Sequence, residues 1–137
     1  MAKALSPQGA LLTLCVSRLP GRTLPRHAWA AEVLVEQLWA CTAERPEDSG
    51  WLDVLVPLVG SRGVDARRVR AEVWALAQEG ALVPVGVGAA ARYEVAKDLR
   101  CAEICSALTP EQDRVVDLAV DQLTARLLAF SKTASAC

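Results

Sequence analysis

The sequence predicts a mainly α domain that carries one small β-hairpin. Three observations predict it. Residues 65–80 read as a capped amphipathic helix. Asp65 stands at an N-cap position, Val69, Val73, Leu76 and Ala77 recur at helical spacing, and Gly80 follows as a stop. Two short β-branched segments, 82–87 and 92–96, come next around a Gly/Ala turn. Apolar residues make up 53% of the 137, much of it Ala, Val and Leu, which favours helix over sheet. A chain of this length is one domain by size, and 23% charged residues is near average, which argues against disorder.

The other elements follow in order. Ser6-Pro7 pairs an N-cap with a first-turn proline and opens a short helix to about Arg18, with Leu11, Leu12, Leu14 and Cys15 apolar. Pro20-Gly21 stops it. Pro25 is expected to open a longer helix to about Glu44. Ala30, Val33, Leu34, Leu38 and Cys41 share a face there, and Val35 and Trp39 broaden it, so this helix should be buried on more than one side. Residues 45–50 form a polar loop. A third helix is expected from about Trp51 to Val59, kinked or shortened at Pro57, and Gly60-Ser61-Arg62-Gly63 is a turn. The helix of 66–79 and the hairpin come next, and Asp98–Leu108 reads as a helix or the start of one.

Thr109-Pro110-Glu111-Gln112 combines an N-cap, a first-turn proline and a capping-box Gln. The last helix should run to about Ser131, with Val116, Val120, Leu123, Leu127 and Phe130 stepping by 4, 3, 4, 3 in a heptad seam. Such a seam must be covered by the domain core, by a symmetry mate or by another protein. The sequence reading favours a two-fold dimer. The expected organisation is therefore an N-terminal helix in 1–24, a core unit in 25–97, a helical extension in 98–131 and a frayed tail in 132–137.

Net charge is −1, which argues against indiscriminate coating of nucleic acid. Residues 60–100 hold seven Lys/Arg against five Asp/Glu, and 101–137 hold three against five. The unit around 65–96 is mildly basic and the tail acidic.

Five Cys at 15, 41, 101, 105 and 137 are odd in number and irregular in spacing. Cys101 and Cys105 share a helical face and, with Cys41 or Cys15, fit either a metal site or a thiol switch. A single His27 does not complete a usual zinc set, so buried packing is the favoured reading and no metal or cofactor is expected. The short apolar run Leu11–Val16 does not match a secretory signal or a membrane span. A reduced, cytoplasmic setting without membrane association is expected. His27 has no nucleophile motif around it, and Glu47-Asp48 lies in a polar loop, so an enzyme is not expected. Trp29, Trp39, Trp51 and Trp74 either line a pocket for a flat effector or, as is commoner, serve the core or an interface.

The run Val69-x3-Val73-x2-Leu76-x3-Gly80, with Leu82-Val83 after it and Arg92-Tyr93-Glu94-Val95 as a returning strand, resembles the recognition helix and wing of the winged helix-turn-helix superfamily. The pattern is closest to bacterial transcriptional regulators of the MarR and PadR kind and covers roughly residues 28–97. The resemblance implies a dimeric repressor that lays the 66–79 helix in the major groove of double-stranded DNA. On a helical wheel Arg67, Arg68, Ala71, Trp74, Ala75 and Gln78 lie opposite the apolar side, with Arg70 at the edge. Arg67, Arg68, Arg70 and Gln78 are the candidates for base edges, and Arg62 and Arg92 for phosphates. Trp74 is the candidate protein contact.

Two features depart from that family pattern. The wing, 86–92, has Arg92 as its only charge near the tip, and the overall charge is near neutral. Both favour a winged helix that docks protein, as an adaptor or assembly subunit. A further resemblance is to winged-helix segments in the N-terminal region of RecD-like helicases. It rests on Cys101-Ala102-Glu103-Ile104 after the hairpin and on Leu108-Thr109-Pro110-Glu111-Gln112, which looks like the start of a helicase motor. No G-x-x-x-x-G-K-[ST] occurs, so no motor is expected within this chain.

Overall fold

The computed structural model describes residues 6–26, 28–44, 51–88, 91–96 and 108–136. His27, residues 45–50, the tip of the expected wing at 89–90, and the expected helix after Asp98 with Cys101 and Cys105 lie outside the described residues, as does Cys137.

Helix α1 spans Pro7–Ser17, with the Ser6 hydroxyl accepting from the Gly9 N–H at 3.0 Å. A 3-10 turn, Pro20–Arg22, leads into strand β1, Thr23–Pro25. Here the structure corrects the sequence reading. Pro25 closes a strand, and helix α2 begins three residues later, at Ala28–Glu44. Helix α3, Leu52–Leu55, passes into a 3-10 turn at Val56–Leu58, so Pro57 ends the regular helix early. The expected Gly60–Gly63 turn joins two minimal strands, β2 (Val59–Gly60) and β3 (Gly63–Val64), with Gly63 at φ +103°.

Helix α4, Ala66–Glu79, starts on the Asp65 carboxylate, which accepts from the Arg67 and Arg68 N–H groups. It stops at Gly80, whose left-handed φ of +82° lets its N–H return to the last turn of the helix. Strands β4 (Leu82–Val85) and β5 (Arg92–Val95) form the expected hairpin. The sheet order is β1-β5-β4, antiparallel throughout, with Leu24 opposite Tyr93 and Pro84 opposite Tyr93 on the other side. Pro84 is tolerated because β4 is an edge strand and needs no outward N–H.

Helix α5, Pro110–Ala136, opens on the capping box read from the sequence. The Thr109 N–H donates to Gln112 Oε1 at 2.9 Å and the Gln112 N–H to Thr109 Oγ1 at 3.1 Å. It continues through Ala136, so the expected frayed tail from 132 is helical.

One apolar core joins the five described helices and the three-stranded sheet. Helix α2 lies centrally, in contact with both α4 and α5, which is why Leu34 and Val35 are both sealed. Helix α1 passes close to α4 where Gly9 meets Leu76; a Cβ at Gly9 would come within 3.0 Å of the Leu76 side chain. Arg18, at the end of α1, pairs with Asp113 and with Asp117 at 2.7 Å, and the Trp51 indole donates to the Gln112 carbonyl at 3.2 Å. These ties hold α5 against the rest of the chain.

The seam therefore has a different cover from the one expected. Val116, Val120 and Leu123 are buried within the chain, where α5 packs on α2 and α1, and Leu127 packs partly against the same core. The Phe130 side chain lies outside the described residues. Leu11, Leu12 and Leu14 of α1 are likewise sealed internally. Of the described seam residues, Leu127 alone stays partly exposed.

Candidate functional site

Helix α4 stands at the surface because only one of its sides is apolar. Val69 and Leu76 are fully buried, and Val73 and Ala77 partly so. Gly80, assigned to the buried side by periodicity, is exposed at the C-cap. Arg67, Arg68, Arg70, Ala71, Trp74 and Gln78 are all exposed, as the wheel has them, while Ala75 is only partly exposed. Arg62 is exposed in the β2–β3 turn, next in the chain to the start of α4.

The arginines differ in how far they are engaged. Arg68 donates to the carbonyls of Pro57 and Val59 at 3.3 and 3.1 Å and lies 3.6 Å from Asp65. It pins the α3–α4 connection and has less to offer a ligand than the sequence suggested. Arg70 pairs with Glu32 of α2 at 3.0 Å while its side chain stays 60% exposed. Arg92 pairs with Glu94 on its own strand at 3.2 Å. Exposed pairs of this kind are worth at most about 1 kcal/mol, so Arg70 and Arg92 can exchange these partners for another anion.

Beside α4 lies a feature the sequence did not reveal. An open groove of about 240 Å³ runs between α4 and the β1–β5 side of the sheet. Leu24, Pro25 and Val73 are its apolar lining, and Trp74 and Tyr93 its aromatic walls. Arg26 and Arg70 supply its charge, and among the described residues no carboxylate lines it. The Arg26 guanidinium sits over the Tyr93 ring, 5.3 Å from its centroid, in cation–π geometry. Trp74 is 64% exposed, which a tryptophan with no further contact seldom is. Of these residues only Arg70 and Trp74 were candidate site residues in the sequence reading. A three-residue strand has no readable period, so nothing marked Leu24 and Arg26 as neighbours of Tyr93.

The β4–β5 hairpin exposes two valines: Val87 is 86% exposed and Val83 42%. Cys15 is fully buried in the core, and loss of solvation pushes its thiol up to about 12. Burial also raises the Cys41 thiol, helped by Glu44. Among the described residues no cluster of three His, Cys, Asp or Glu is placed to hold a metal, and no helix is long and apolar enough to cross a membrane. Compared with known proteins, the chain matches no family model, no curated protein and no solved structure.

Proposed function

We propose that this chain is a winged-helix protein that binds duplex DNA through the outer face of α4. The order α1-β1-α2-α3-β2-β3-α4-β4-β5 among the described residues, with β1 closing the sheet beside β5, supports the winged-helix assignment. The observation that carries the functional reading is the exposure of Arg67, Arg70, Ala71 and Gln78 on one helix face, held rigidly by the Asp65 cap and the buried Val69 and Leu76. Arg and Gln are side chains that read guanine and adenine edges, and Ala meets the thymine methyl. Arg62 and Arg92 are assigned to phosphates. Arg68 is assigned to the turn, with its backbone N–H held by Asp65.

Regulation of transcription is the role this reading implies. If the regulator acts as a dimer, its two-fold contact lies outside Val116, Val120 and Leu123, because those residues are already buried in the protomer.

The test is a gel shift against pooled genomic duplex fragments at about 50 and about 200 mM salt, the range over which release of phosphate counterions is steep. Binding at the lower salt that weakens sharply at the higher is expected. No shift at the lower salt would overturn the duplex reading.

A further inference from the structure

We infer that the groove between α4 and β1–β5 is a docking site for a segment of another protein, one that inserts a single aromatic or leucine side chain flanked by acidic residues. Size, lining and charge each narrow the occupant.

At about 240 Å³ and open to solvent, the groove falls below the roughly 300–1,000 Å³ typical of pockets that enclose a small-molecule ligand. It has room for one large side chain presented from outside. The lining calls for an apolar one, since Leu24, Pro25 and Val73 lie beneath two aromatic walls. Trp, Tyr and Arg are the residue types that dominate binding energy at protein interfaces, and this groove holds one Trp, one Tyr and two Arg.

The charge completes the description. Arg26 and Arg70 are both exposed, and among the described residues the carboxylate that meets either of them is Glu32, against Arg70 and outside the lining. Acidic residues on either side of the inserted side chain would meet Arg26 directly and compete with Glu32 for Arg70. A nucleic-acid strand would instead need a continuous basic track, and the groove lining offers Arg26 and Arg70 alone as cations among the described residues.

Arg70 and Trp74 belong both to this groove and to the outer face of α4. A protein segment seated here would therefore compete with duplex DNA. That competition rests on the proposed function; the docking site does not.

The test is selection of a random 12-residue displayed peptide library on the immobilised full chain, with Trp74→Ala as counter-selection. Peptides carrying one aromatic or leucine residue with Asp or Glu within two positions should be enriched. A synthetic fluorescent peptide of the leading sequence should bind at least tenfold more weakly to Trp74→Ala and to Arg26→Ala, while circular dichroism confirms that both variants fold. No enrichment over Trp74→Ala, or enrichment of basic or uncharged peptides, would overturn the proposal. So would loss of a labelled twelve-residue oligo-dT in the same variants without peptide selection, which would assign the groove to single-stranded nucleic acid. Arg26 lies off α4, so a peptide effect at Arg26 survives even if the duplex gel shift fails.

Discussion

Helices α4 and α5 begin alike and end in opposite situations. Each opens on a side-chain cap, Asp65 or Thr109, and each carries an apolar stripe opposite a charged face. The stripe of α5 is sealed against α2 and α1, and Arg18 locks its first turns to α1. Helix α4 buries only Val69 and Leu76 completely and leaves Trp74 beside an open groove. Periodicity therefore reveals that a face is apolar, not what covers it. An intramolecular neighbour and a symmetry mate require the same stripe.

The largest expected effect lies on the sealed helix. Leu123→Ala should cost about 2–5 kcal/mol in denaturant unfolding, the range for a fully buried leucine, and leave the oligomeric state unchanged by light scattering. A shift from dimer to monomer with little loss of stability would return the seam to the dimer reading.

Cys15 sharpens the same contrast through pH. Its thiol is raised in the folded protein to about 12 from an ordinary value of 9.0. The unfolded chain thus loses that proton first. The thiol's contribution is complete below about pH 9 and is lost as pH climbs toward 12. Cys15→Ala should flatten that alkaline decline relative to wild type while lowering stability at neutral pH.

Asp65→Ala should cost about 1 kcal/mol through loss of the cap on α4, measured by thermal unfolding. The smallest effect is expected at the groove. Trp74→Ala should change stability by no more than about 0.5 kcal/mol, because the side chain is mostly exposed. A larger loss would mean that Trp74 serves the fold and not a partner.

Much of the fold was legible because local chemistry marks it. Ser6, Asp65 and Thr109 cap the helices they were assigned to, Gly80 stops α4, and the β4–β5 hairpin lies within two residues of its expected bounds. Strand β1 was missed because Pro25 carries two meanings. Its fixed φ suits both the first turn of a helix and the end of an edge strand, and the choice is made by Tyr93 and Arg92, far along the chain. The β2–β3 hairpin was missed because two-residue strands have no alternation to read.

The site was legible only as a helix face. The exposed positions of α4 follow from its 3.6-residue period, but Arg68's bonds to Pro57 and Val59 and the arrival of Leu24 and Arg26 beside Trp74 depend on tertiary contacts that no spacing encodes.

The most direct test of the claim that α4's outer face binds duplex DNA is fluorescence anisotropy of a labelled duplex across a salt series, with wild type and the Arg67→Ala/Arg70→Ala double variant. Wild type should bind at low salt with a steep dependence, and the double variant should bind at least tenfold more weakly, each lost base-edge contact being worth about 1–3 kcal/mol. A wild-type chain that ignores duplex at low salt, or a double variant that binds as wild type does, would contradict it.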